Sequence, residues 1–315
     1  MAWERHLGKG RPLALYGCRR ADGELAAVLP LYVFSIMSLR LLRFVGHGPA
    51  DQLGPICSSA DRAAVARALV QLVRTRPSGA RALLAERVPG EEDWAQRLGA
   101  TRLRRESSPV LDIAGRSWDE FLASRSRNFR EQARRRERKL QREHRLTFRI
   151  TTEPAQLDED FDIFVRLHGL RWGEQSAFAG ARESFHREFA HLALERGWLR
   201  LWLLEIDGVP VSAWYGFRFG GVDSYYNAGR DPAWDPHSVG FILLTRTIRA
   251  AFEDGMTQYR FLLGDEAYKD RFMDRDPGLD TMLMGPWPLV RAAALAATGA
   301  RALPPRGRRL LKRLG

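Results

Sequence analysis

Two stretches of the chain repeat one alternation of apolar and polar positions. Residues 12–34, PLALYGCRRADGELAAVLPLYVF, and residues 198–219, WLRLWLLEIDGVPVSAWYGFRF, each read as strand, Asp-Gly, strand, with turns at Asp22-Gly23 and Asp207-Gly208. Asp-Gly between β-rich runs is a strong hairpin signal because a tight hairpin turn needs positive φ. The segments after the two hairpins match as well. LRLLRFVGHGPADQLGP (39–55) leads to a helical stretch over 60–74, and VDSYYNAGRDPAWDPHSVG (222–240) leads to a helix over 239–254. That second helix carries Phe241, Leu244, Ile248, Ala251 and Phe252 on one stripe, and Gly255 stands where a C′ glycine belongs. Each unit then adds a strand, ARALLAERV (80–88) and QYRFLLG (258–264). Hairpin, strand, loop, helix, strand is therefore used twice, which predicts an α/β (α+β) protein of two like halves.

Between the repeats the pattern turns helical. Phe129, Ala133 and Leu140 give residues 124–145 a thin apolar stripe with charged remaining faces. Thr152 followed by Pro154 reads as an N-cap and first turn for a helix through Leu157, Phe161, Val165 and His168. Phe185, Phe189 and Leu192 mark another helix, closed by Gly197. A boundary near Gly115-Arg116-Ser117 divides the chain into a first half (1–115), a second half (116–285) and a tail (286–315).

Composition narrows the class. With 315 residues, 45% of them hydrophobic, the chain can form one large domain or two modest ones with their own cores. Cys18 and Cys57 fit no metal or disulfide spacing, so a reducing compartment is the default. The first residues lack the apolar region of a signal peptide, and the longest apolar run is too short to span a bilayer. A cytoplasmic protein is expected. The net charge of +12 calls for an anionic partner. Nine Arg and Lys139 stand against three Glu over 124–145, and residues 288–315 hold no acidic residue. That helix is either a solvated, charge-laced surface or a seat for tRNA, an anionic membrane face or a phosphorylated ligand. Without a groove-reading motif, sequence-specific DNA is not expected. His168, His186 and His191 fit helix faces and no metal spacing, so no metal is expected.

The second repeat carries candidate chemistry. Its strand over 222–228 runs into Gly229-Arg230-Asp231-Pro232 and then Ser238-Val239-Gly240 at a helix start. A helix N-terminus offers unpaired N–H groups and a positive dipole end, a natural phosphate cradle to which Arg230 adds charge. Ser238 reads equally as a simple N-cap. There is no G-x-G-x-x-G and no P-loop.

Residues from about 124 to 272 resemble the acetyltransferase domain of the GNAT superfamily, in the CelD-like, cellulose-biosynthesis-protein-like branch. The likeness rests on NFREQARRRERKL, RLHGLRWGE, LWLLEIDGVPVSAWYGFRF, YYNAGRDPAWDPHSVGFILL and GDEAYKDRF. ELAAVLPLYV and LRFVGHGPADQLGP resemble the accompanying half-domain, and tandem halves are also the architecture of Fem peptidyltransferases. Two departures stand out. The superfamily's phosphate signature Arg/Gln-x-x-Gly-x-Gly/Ala is absent, with SVG where the branch has SPG, and Phe272 replaces a common Trp.

The resemblance implies tandem GNAT-like halves, each a mixed central sheet flanked by helices, the first degenerate. It implies acyl transfer from acetyl-CoA or another acyl-CoA to a primary amine, an amino sugar or envelope precursor, without a covalent intermediate. An aminoacyl-tRNA donor and a non-catalytic accessory role are the alternatives. Candidate catalytic residues are Asp265, Glu266, Tyr268, Lys269 and Tyr226. Period-two alternation allows only one of Tyr225 and Tyr226 to face the site, and Tyr226 is chosen. Whichever of Asp265 and Glu266 escapes Lys269 is the freer base. Asn227, Arg230, Ser238, Val239 and Gly240 are expected to hold the donor, and Trp172 and Asp51 the acceptor. For Tyr268-Lys269 the plain alternative is a loop tyrosine under a solvated lysine, and for Trp172 a core aromatic.

Overall fold

A computed structural model describes residues 1–36, 39–173, 176–286 and 288–290; the basic tail, for which contact with an anionic membrane is one of two open readings, lies outside the described residues from position 291 on. The chain forms two compact units. One comprises Gly10–Ser107 with the chain from Pro277, and the other Met1–Lys9 with Ser108–Asp276.

Helix α1 (Ala2–Leu7) opens the chain and belongs to the second unit, where it packs on the helix Ala181–Glu195. The first unit then begins with strands β1 (Leu13–Arg19) and β2 (Leu25–Ile36), joined at Asp22-Gly23. Gly23 takes φ +88°, and the Asp22 carboxylate accepts the Glu24 N–H at 2.9 Å. β3 (Leu39–Phe44), β4 (Ile56–Cys57), α2 (Arg62–Thr75), β5 (Ala82–Pro89), α3 (Trp94–Leu98) and β6 (Thr101–Glu106) follow. Val65, Ala66, Leu69 and Val73 recur at helical spacing along α2 and bury its inner face, each large side chain contributing about 1.5–3 kcal/mol.

The second unit resumes with β7 (Val110–Asp112), α4 (Trp118–Ser124) and α5 (Arg127–Glu143). The basic segment expected over 124–145 is thus one helix, α5, with the separate α4 before it. Ser117 and Glu120 close a capping box on α4, and Ser126 caps α5 through the Phe129 N–H at 3.2 Å. Then come β8 (Leu146–Ile150), α6 (Pro154–Trp172), α7 (Ala181–Glu195), β9 (Leu199–Ile206), β10 (Val209–Phe219), β11 (Val222–Arg230), α8 (Val239–Glu253) and β12 (Gln258–Arg260). Glu153, not the expected Thr152, holds the N-cap position of α6, with Pro154 in the first turn. β9 and β10 meet at a two-residue turn in which Asp207 and Gly208 both take positive φ, 52° and 85°. Gly255 ends α8 as expected: its N–H reaches Phe252 O at 3.1 Å and the Met256 N–H reaches Ala251 O at 3.0 Å. Gly197 closes α7 in the same way.

Both sheets are mixed. The second unit's runs β7-β12-β11-β10-β9-β8, and its one parallel pair is β11/β12. The first unit's runs β1-β2-β3-β5-β13-β6, with β4 beside β2 and β3/β5 parallel. The last strand, β13 (Leu279–Met284), departs from the expected division, which put residues through 285 in the second half. It pairs with β5 and β6 of the first unit, and all six of its residues are buried. The boundary falls at Ser107/Ser108 and not near Gly115, because β7 is already committed to the edge of β12. The repeated element order is present in both units.

Candidate functional site

β11 and β12 pair only over Val222–Ser224 and Gln258–Arg260, and beyond that point β11 continues to Arg230 against β10 alone. Along that stretch Tyr215 pairs with Asn227 and Gly216 with Tyr225, which leaves Tyr226 as an extra, bulged residue. A Cβ on Gly216 would lie 2.3 Å from Ser224 O and 2.5 Å from the Trp214 ring, so the bulge needs glycine there. The bulge resets the alternation. Tyr225 and Ala228 face α8, while Tyr226 packs on the α6/α7 side, where its hydroxyl meets His186 Nε2 at 3.1 Å. The expected choice of Tyr226 is therefore corrected: Tyr225 faces the site. Asn227 also turns away, toward His168, and does not line the cavity that Tyr225 faces.

A cavity of about 430 Å³ opens beside the parted strands. Trp214, Tyr225 and Ala228 form one wall, and Phe241, Leu243 and Leu244 of α8 the other. Arg136, Arg171, Arg230 and Arg271 line it as well, with Asp235 as the acidic counterpart. Arg230 Nε holds Asp235 Oδ1 at 2.5 Å, which keeps that carboxyl below its ordinary range. Arg136 lies over the Phe241 ring at 4.8 Å, and Arg271 spans Phe129 and Phe241 at 5.2 Å each. Burial, together with the charge of Arg271, pushes the Arg136 guanidinium down from its usual value.

The start of α8 faces the same space. Ser238 precedes the helix in a left-handed conformation (φ 58°) and its side chain caps no N–H, so its expected N-cap role is corrected. The N–H groups of Val239 and Gly240 meet no side-chain cap, and Ser238 and Gly240 line the cavity. Dipole, uncapped N–H groups and guanidiniums together favour a phosphate.

The turn after β12 brings in Tyr268. Phe261 and Leu262 are buried but leave the ladder, with Leu262 at φ 53°, so the expected strand over 258–264 stops at Arg260. Lys269, 3% exposed, explains the turn: its Nζ donates to Leu263 O at 2.9 Å and pairs with Glu266 Oε2 at 2.8 Å. A Cβ on Gly264 would collide with both partners, 2.3 Å from Glu266 Oε2 and 2.8 Å from Lys269 Nζ. Lys269 and Glu266 are thus engaged with each other outside the cavity lining, while the exposed Asp265 makes no side-chain hydrogen bond or ion pair among the described residues. Tyr268 lines the cavity with Tyr225 and Arg171. Burial, then the neighbouring Tyr225, raises the Tyr268 phenol, and burial raises Tyr225, so both keep their protons at neutral pH.

Two expected acceptor contacts lie elsewhere. Trp172, 38% exposed, stacks on His168 at 6.1 Å with Arg171 at 4.8 Å, and it does not line the cavity. Asp51 belongs to the first unit, where Arg87 holds it at 3.1 Å. The site residues not anticipated are Tyr225, Trp214, Phe241 and the arginines 136, 171 and 271. The one available signal was adjacency: Arg271 lies in YKDRF and Arg171 in HGLRW. Among the described residues, no group of three or more His, Cys, Asp or Glu could hold a metal.

Residues 127–270 match the family model of the acetyltransferase (GNAT) domain. Among solved structures, FemX is similar at 14% identity over 93% of this chain and 93% of that one, with TM-score 0.66. The C-terminal domain of a putative lysylphosphatidylglycerol synthetase from Agrobacterium fabrum matches at 14% identity over 96% and 92%, TM-score 0.58. L-PGS from Bacillus licheniformis matches at 11% identity over 94% and 95%, TM-score 0.56. At these identities the likeness establishes the fold, which is GNAT-like in both halves. A comparison with curated proteins found no match.

Proposed function

We propose that the protein transfers an acyl group from acyl-CoA to a primary amine, an amino sugar or envelope or exopolysaccharide precursor, as in the CelD-like branch. The observation that carries this reading is the cavity where β11 and β12 part, with an uncapped helix start and four guanidiniums around it. Ser238, Val239, Gly240 and Arg230 hold the donor's phosphates. Backbone N–H groups near the β11 bulge receive the carbonyl oxygen as negative charge develops on it. The neutral amine attacks the thioester carbon, its excess proton passes through water to Asp265, and the C–S bond breaks. Tyr268, its proton retained by burial, donates to the departing sulfur. Lys269 acts by holding the turn that presents Tyr268, not by touching the reactants.

Calorimetry with acetyl-CoA and with CoA tests the donor: micromolar binding is expected, weakened by Arg230→Ala. No heat at millimolar ligand sinks the thioester reading.

A second reading takes aminoacyl-tRNA as donor. It is supported by the side chains of Arg134, Arg135, Arg138, Lys139 and Arg142, which make no hydrogen bond or ion pair among the described residues. The similarity to FemX and to lysylphosphatidylglycerol synthetases points the same way. Filter binding to charged tRNA with a steep salt dependence would favour it, and affinity indifferent to salt would exclude it. If Tyr268→Phe/Lys269→Ala retained full function, the non-catalytic accessory role would stand instead. No described helix is long and apolar enough to cross a membrane; a cytoplasmic site of action, with the inner membrane face as a docking surface, belongs to the proposal.

A further inference from the structure

The other flank of α5 carries a separate cavity of about 310 Å³, between α4, α5 and α8. It shares no lining residue with the transfer cavity. Arg134 and Arg138, one turn apart on α5, face it together with Arg246 and Arg249 of α8. Like charges at that helical spacing repel. Of the four, only Arg249 has an ion pair among the described residues, with Glu253 at 2.7 Å, and Arg246 rests on the Phe148 ring at 5.3 Å. The lining carboxylates are Asp119 and Glu137, two against the four guanidiniums. A positive excess is left facing one concave space.

A second observation is independent of charge. Thr245 lines the cavity, is 7% exposed, and its buried Oγ1 has no hydrogen-bond partner. Two residues on, Thr247 satisfies its hydroxyl on Leu244 O at 2.9 Å, as helical threonines commonly do. A buried hydroxyl left unpaired is destabilising unless something meets it. Trp118, half-buried against Phe121 and Phe252, completes an apolar wall.

We infer that this cavity is a second ligand site, one that takes a phosphate ester on an aromatic or apolar body. The guanidiniums of Arg134, Arg138 and Arg246 hold the phosphate. The Thr245 hydroxyl gains its missing partner, and the body lies on Trp118. The site stands whether or not the acyl-CoA reading does, since the two cavities have no residue in common.

The test uses the full chain carrying Arg230→Ala, which weakens phosphate binding in the transfer cavity, titrated calorimetrically at low salt with AMP, ATP and inorganic pyrophosphate. One saturable site is expected, with AMP and ATP binding more tightly than pyrophosphate. Adding Arg134→Ala/Arg138→Ala should abolish it, and adding the near-isosteric Thr245→Val should weaken it roughly fivefold, about the loss of one net hydrogen bond. Thermal melts without ligand guard against misfolding, because removing two mutually repelling cations should leave the midpoint unchanged or raise it. Equal binding of pyrophosphate and AMP would overturn the role of Trp118. Saturable binding untouched by the Arg134/Arg138 pair, or no binding at all, would overturn the site.

Discussion

The two units use one element order and differ in local charge where the parallel strands part. In each, a hairpin leads to a strand that runs parallel to the next for two or three residues and then leaves it: β3 with β5 at Leu41 and Leu42, β11 with β12 at residues 222–224. In the second unit that parting opens onto the arginine-lined cavity. In the first, the chain's own segment after β3 turns back onto β5. Leu53 N–H bonds to Arg87 O at 3.0 Å, and Arg87 holds Ala50 O and Asp51. Glu86 is engaged by Arg43 and His47. The helix starts differ as well. α2 begins at Asp61, a carboxylate engaged by Arg20 and Ser58, whereas α8 begins at an uncapped Ser238. A carboxylate at a helix N-terminus repels the phosphate that an uncapped one attracts. The fold is therefore permissive, and local charge decides which copy can receive a phosphate.

The sharpest way to break this contrast is to remove one phenol from each unit. Tyr268→Phe should lower turnover about 100-fold with an unchanged melting temperature, while Tyr32→Phe, fully buried in the first unit, should leave turnover intact. Steady-state kinetics of both decide it; equal losses would erase the distinction. Next, Lys269→Met should lower stability by about 2 kcal/mol, because its hydrogen bond and ion pair vanish, and turnover should fall with it. Denaturant unfolding and kinetics measured together check this.

Acid should separate the units by pH window. Burial, with the nearby Arg171 and Arg182 charges, lowers His168 to about 4 and His186 to about 3. The unfolded chain binds those protons first, so the second unit loses stability as pH falls from about 6.5 toward 4. Burial would raise Glu86, but the His47 hydrogen bond and the Arg43 charge bring it to about 2. Its contribution is present above the ordinary carboxyl range and is lost only as pH falls from about 4.5 toward 2. Hydrogen exchange resolved by segment should show the second unit opening first. The smallest effect is expected of Arg230→Ala, a roughly tenfold weaker donor, since Asp235 already neutralises part of that charge.

Much of the architecture was legible. Asp207-Gly208 and the glycines 197 and 255 specify backbone conformations that few other residues adopt, and their elements lie where the pattern put them. Tyr268, Arg230 and Gly240 face the cavity as the strand-loop-helix reading expected. Tyr226, Asn227, Trp172 and Asp51 do not, each for a non-local reason. One bulge turned Tyr226 and Asn227 to the other face, His168 drew Trp172 aside, and Asp51 is held by Arg87. The same holds for Lys269, a catalytic candidate in the sequence, whose amine Leu263 O and Glu266 hold within the turn.

By itself, the sequence determined the repeated element order, the turns and the helix ends, because these follow from φ preferences and from periodicities of 2 and 3.6. Only the tertiary structure decided which tyrosine faces the cavity, where β13 pairs, and which carboxylate Lys269 takes. Those outcomes depend on strand register, on a one-residue bulge and on burial, and such contacts between residues distant in the chain leave no mark in local pattern.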